Sequence, residues 1–173
     1  NFEDSYFNKN SSSSLLWQSK LILKNKDNEF VIGCKQKFND LIEIFVKVDD
    51  SPGLFYKLVH VFDRAGLEII DANIFTSKDN QFAANTFITK FSRQDRVLNK
   101  SELIELSSKI EKNFQKVDQI NEKRKVKKKN AKFEKIVKID ESVDINKNRN
   151  LITVETVDSS GLLANISKVF FEN

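Results

Sequence analysis

One short pattern occurs twice in this chain. Moving Ile44-Phe-Val-Lys-Val-Asp-Asp-Ser-Pro-Gly-Leu54 by 108 residues lays it on Ile152-Thr-Val-Glu-Thr-Val-Asp-Ser-Ser-Gly-Leu162. Over residues 44–63, eight of twenty positions match: Ile44, Val46, Asp50, Ser51, Gly53, Leu54, Val61 and Phe62. Each copy reads as an alternating strand, a small acidic junction and the start of an apolar-striped helix. Self-similarity at one structural landmark indicates a tandem domain pair. The second copy has room only for its first strand and helix before the sequence stops at Asn173.

The elements follow from periodicity. Ile42, Ile44, Val46 and Val48 alternate with Glu43, Phe45, Lys47 and Asp49, a strand pattern. Ser51 suits a helix N-cap and Pro52 the first helical position. Leu54, Leu58, Val61, Phe62 and Ala65 then form one helical stripe, which Gly66 ends. Leu67–Thr76 and Phe82–Phe91 read as strands joined by a turn at Lys78-Asp79-Asn80. A second helix starts near Asn99, with Glu102 placed for a capping box and Leu103, Leu106, Ile110, Phe114 and Val117 on one face. Phe133, Val137, Ile139, Val143 and Ile145 share one parity, which predicts a closing strand. Upstream, Ser11–Ser14 cap a short helix carrying Leu15, Leu16, Trp17, Leu21 and Ile22, and Phe30-Val31-Ile32 is a short strand.

From residue 41 the order is strand, helix, strand, strand, helix, strand. That is an α+β, ferredoxin-like βαββαβ arrangement, with an antiparallel sheet and both helices on one face. The expected organisation is the end of a preceding domain and linker over 1–38, a first domain over 39–146 with a lysine-rich insertion at about 121–132, and the start of a second domain over 149–173.

Composition removes several functions. One Cys, Cys34, excludes a disulfide framework and a multi-cysteine zinc site, and one His, His60, leaves little for imidazole catalysis or metal binding. His60 falls opposite the apolar stripe, and Cys34 reads as a small buried residue. Gly33, Gly53, Gly66 and Gly161 are too far apart for a nucleotide-binding glycine loop. Asp49 and Asp50 are neighbours on a strand and face opposite sides. No apolar run approaches the roughly 18 residues of a membrane helix. With no Met at all and an apolar helical pattern running into the last residues, the chain reads as an internal piece of a longer cytoplasmic protein.

Charge is concentrated. Residues 109–138 carry 12 Lys/Arg against 4 Asp/Glu, peaking at Lys123–Lys129, whereas the rest of the chain carries 17 against 21. A solvated linker is the plainer reading of this run, and a nucleic-acid patch the alternative. RNA-recognition domains share the strand and helix order, but Gln81-Phe82-Ala83-Ala84-Asn85-Thr86-Phe87-Ile88 lacks their basic, glycine-spaced aromatic motif.

The junction carries the chemistry. A helix N-terminus presents unpaired N–H groups to a carboxylate, Gly53 lets the backbone approach a ligand, and Asp50 can receive an ammonium group. Together they suit an α-amino acid. The plainer alternative is that Ser51 and Pro52 only start a helix and Gly53 only permits close packing. The sequence carries no catalytic constellation.

The strings Asp50-Ser-Pro-Gly-Leu-Phe55, Ala65-Gly-Leu67, Asp71-Ala-Asn-Ile-Phe-Thr76 and Asn85-Thr-Phe87 resemble an ACT domain. More narrowly, they are similar to the first ACT domain of the bifunctional PII-protein uridylyltransferase/uridylyl-removing enzymes, and the repeat falls where the second begins. Tyr6-Phe7 and Trp17 resemble the segment leading into that region. The chain departs from the family at Ser51 and Asn73, where Arg is usual, at Ser160, where Pro is usual, and at Gln18, where His is common.

The resemblance implies a glutamine-sensing regulatory segment. It places one amino-acid half-site at Asp50, Ser51, Gly53, Leu54 and Asp71, and a matching loop at Asp158, Ser159, Gly161 and Leu162. In such enzymes a Mg²⁺-dependent nucleotidyltransferase domain modifies the PII signal protein and a phosphohydrolase domain reverses it. This chain is expected to hold neither catalytic set, no cofactor, and no contact with nucleic acid or membrane. An ACT module of some other enzyme is the alternative.

Overall fold

The computed structural model describes residues 2–117, 138–144, 149–157 and 161–172. They form two compact units, one built from the residues up to 121 together with 163–173, the other from 122–162.

In the first unit, helices α1 (Asp4–Lys9) and α2 (Ser12–Lys24) lead into strands β1 (Val31–Gln36) and β2 (Ile42–Asp49). Helix α3 (Leu54–Ala65) crosses to β3 (Leu67–Thr76), β4 (Phe82–Phe91) returns, and α4 (Lys100–Gln115) follows. The sheet order is β1-β2-β4-β3, with every neighbouring pair antiparallel. Helix α3 therefore carries the chain over β4 to the far edge, the split βαβ of a ferredoxin-like α+β fold.

The helix signals expected for α2 and α4 appear where the chain placed them. Ser11 caps α2, its Oγ accepting the Ser14 N–H at 3.2 Å. Asn99 and Glu102 form the full capping box, Oδ1 of Asn99 accepting from the Glu102 N–H at 3.0 Å and Oε2 of Glu102 from the Asn99 N–H at 2.9 Å. The bond from the Asn99 N–H first, and then the Arg96 guanidinium beside it, hold the Glu102 carboxyl below the usual carboxylate range.

Two details of the sheet differ from the sequence reading. The edge place beside β2 belongs to Val31–Gln36, not to a strand within 133–145. Of that later stretch, the described residues Lys138–Asp144 form β5, which pairs antiparallel with β6 (Arg149–Glu155) in the second unit. Residues 118–137, with the lysine-rich run, lie outside the described residues.

The second difference is that both sheet faces are covered. Ile42, Ile44, Val46, Leu58, Phe62 and Phe87 join the core shared with α3 and α4. On the opposite face Tyr6, Phe45 and Ala84 form a second core, against which Trp17 and Leu21 of α2 pack. Strand β2 is therefore buried almost throughout, although its pattern alternates as a one-sided strand would. Its Glu43 is 1% exposed; Oε2 accepts from Ser14 Oγ at 3.0 Å and meets Lys37 Nζ at 3.1 Å.

Candidate functional site at the start of helix α3

Strand β2 ends at Asp49, and the chain reaches α3 through Asp50, Ser51, Pro52 and Gly53. Ser51 does not cap the helix: the N-cap is Gly53, held in the left-handed region at φ 75°. A residue with a Cβ is disfavoured in that conformation, so glycine is needed here for backbone reasons first. Pro52 consequently lies in the turn before the helix, not at its first position.

The Leu54 N–H turns back to the Ser51 carbonyl at 3.1 Å, and no side chain caps the helix. That leaves the N–H groups of Phe55 and Tyr56 at the positive end of α3 without an intrahelical acceptor. Asp50 is exposed; its Oδ2 accepts from Thr76 Oγ1 at 3.0 Å, which ties the junction to the end of β3.

These residues open onto a cavity of about 550 Å³. Asp50, Ser51, Gly53 and Leu54 line it, four of the five residues expected for the first half-site. Asp71 does not. It is exposed on β3, where its Oδ2 accepts from Asn73 Nδ2 at 3.0 Å. Of the expected second loop, Asp158 and Ser159 lie outside the described residues. Gly161 has φ 78°, close to the 75° of Gly53, and Leu162 opens helix α5 (Leu162–Glu172). The glycine before each of the two helices thus shares the left-handed φ.

Helix α5 supplies a further wall of the cavity through Ile166, Phe170 and Phe171. The Phe171 ring stacks on Tyr56, centroids 5.9 Å apart and planes at 9°. A Cβ on Gly53 would lie 2.6 Å from Phe171 Cε2, so the absent side chain at Gly53 is also what seats this ring.

Sequence reasoning missed the cavity's floor, Asn85 on β4. It is 1% exposed, and neither its Nδ2 nor its Oδ1 has a hydrogen-bond partner among the described residues. Parity carried a signal: Asn85 shares its face with the apolar Ala83 and Phe87 in the middle of a strand. His60 is half-buried in α3, its ring 6.1 Å from that of Tyr56. Burial pushes the Cys34 thiol up to about 11, which keeps it protonated and unreactive at neutral pH. Among the described residues no group of three or more metal-ligating side chains comes together, and no helix is long and apolar enough to cross a membrane.

No family model matches the chain, and no solved structure does. Curated proteins do. A bifunctional uridylyltransferase/uridylyl-removing enzyme of Acinetobacter baylyi is 30% identical across 96% of this chain, and one of Acinetobacter baumannii is 28% identical across 96%. The enzyme of the same name from Burkholderia orbicola is 26% identical across 58%. The chain spans only 19% of the length of the two Acinetobacter proteins. Along nearly all of its length, then, the chain is a relative of the bifunctional uridylyltransferase/uridylyl-removing enzymes, matching one segment of them.

Proposed function

We propose that this chain is the amino-acid-sensing segment of such an enzyme, an ACT pair with glutamine as its ligand, working in the cytoplasm. The observation that carries the reading is the cavity where α3 begins, lined by Asp50 and by Phe55 and Tyr56, whose N–H groups no side chain caps. An α-amino acid brings a carboxylate and an ammonium group on one carbon. The N–H groups and the helix dipole receive the first, and Asp50 receives the second. Cavities of a few hundred Å³ are the usual size for such small molecules.

In this reading catalysis belongs to other parts of the enzyme, where Mg²⁺ would serve nucleotidyl transfer to the PII signal protein. Occupancy here shifts the balance between transfer and removal. The homology to enzymes of one name along 96% of the chain favours this parent over an ACT module attached elsewhere.

Isothermal titration of the full chain with glutamine, glutamate and leucine tests the proposal. Saturable glutamine binding that weakens when Asp50 is changed to Asn is the expected outcome. Binding of another amino acid with no response to glutamine would overturn the ligand, and binding of none would overturn the site.

A further inference from the structure

The N–H groups of α3 and the Asp50 carboxylate recognise the two groups that every α-amino acid shares. Neither distinguishes one side chain from another. Given the amino-acid site just proposed, on which this inference rests, we infer that Asn85 reads the ligand's side chain and selects a neutral carboxamide over a carboxylate.

Asn85 lies in the central strand β4, opposite Val46 on β2 and Ile74 on β3. Ala83, two residues before it, is small, which leaves open the space above the amide; both residues line the cavity. The other buried polar side chains named here each have at least one partner. Gln18 accepts from Tyr6 Oη and donates to Asn10 Oδ1 and Thr86 Oγ1, and Thr89 Oγ1 donates to the Ile42 carbonyl at 3.3 Å. Even Glu43, whose Oε1 has no partner, engages Ser14 and Lys37 through Oε2. Asn85 alone among these leaves a whole amide unmet, donor and acceptor together.

Burying an amide without partners opposes folding, and an apolar residue of similar size would be better tolerated in the empty protein. The donor and acceptor sit side by side on one planar group, so their complement is a planar group with an acceptor beside a donor. A carboxamide supplies both. A carboxylate satisfies Nδ2 but sets a second negative oxygen against Oδ1. An ammonium group satisfies Oδ1 but repels the Nδ2 hydrogens. An aliphatic side chain satisfies neither.

The test compares glutamine with glutamate on the full chain, in wild type, Asn85→Val and Asn85→Ala, by isothermal titration, with thermal unfolding run in parallel. The wild type is expected to prefer glutamine at least 10-fold, and either variant to lose most of that preference. Asn85→Val is also expected to unfold at a temperature no lower than the wild type, because it removes the unpaired amide. Asn85→Ala keeps the comparison if the branched residue does not fit. A wild-type glutamine-to-glutamate ratio in either folded variant overturns the inference, leaving a buried water as the partner of Asn85 and the amino-acid site intact. Failure of the wild type to bind any amino acid overturns the site itself, and the inference with it.

Discussion

Gly53 joins two independent constraints, and a double-mutant cycle separates them. In Gly53→Ala, the backbone at φ 75° must hold a Cβ in the left-handed region, which costs roughly 1–2 kcal/mol. The new methyl also meets the Phe171 ring, with Cε2, Cδ2 and Cζ at 2.6, 2.8 and 2.9 Å. A ring at the end of a flexible side chain swings away instead of straining the backbone, so the second cost is the lost stacking on Tyr56, about 0.5–1.5 kcal/mol. The sum is about 1.5–3.5 kcal/mol, which lowers Tm by roughly 5–15 °C in a domain of this size. Urea unfolding of wild type, Gly53→Ala, Phe171→Ala and the double variant measures each part. Once Phe171 is truncated, Gly53→Ala should cost only its backbone part, so the double variant loses about 1 kcal/mol less than the sum of the singles. Strict additivity would show that Phe171 does not rest on Gly53. A Gly53→Ala change within about 0.5 kcal/mol of wild type would show that the left-handed turn itself is wrong.

Gly33→Ala should disturb the other face, because its Cβ would stand 2.6 Å from Leu21 Cδ2 and 3.0 Å from Trp17 Cζ2. A loss of about 1–3 kcal/mol with a red-shifted emission from the one tryptophan is expected, and an unchanged spectrum with unchanged stability would show that α2 does not press on β1 there. Burial pushes the Tyr6 phenol up to about 12 from its ordinary 10.0. Its contribution is intact below pH 10 and fades as pH rises toward 12, since the unfolded chain ionises first. Tyr6→Phe should flatten that alkaline decline and cost about 1 kcal/mol at pH 8, where Gln18 loses a donor. An unflattened alkaline limb in urea titrations would refute this assignment.

Elements whose signals are local were legible. The α3 stripe, the Asn99 box and the hairpin turn at Lys78–Asn80 depend on residues a few positions apart, and each lies where the chain places it. Elements decided by distant partners were not. A period of two tells which way a side chain faces, not which strand lies alongside, so the alternation of 133–145 gave a strand without its neighbour. Gly33, Lys35 and Gln36 blurred the end of β1, and its extent became visible only through pairing with Ile42–Lys47. Glu43 and Phe45 read as an outward row because nothing in β2 announces that α1 and α2 cover it. Four members of the candidate site stood in one contiguous motif, whereas Asn85 and Phe171 reach the cavity from residues far along the chain.

The choice of edge strand has a physical reason and a consequence. Strand β1 precedes the Asp50–Leu54 junction and reaches β2 through residues 37–41 alone, so their pairing closes a short loop. Strand β5 precedes the second junction and reaches β6 through residues 145–148. In each case strand, strand, left-handed glycine and helix follow in the same order. A strand drawn from 133–145 would have to return from the end of α4 to the edge beside β2, with residues 116–132 in the connection, and loop-closure entropy favours the hairpin instead. Because the strand before each junction pairs with the strand leading into it, the sheet of the first unit takes, among the described residues, no strand from beyond α4.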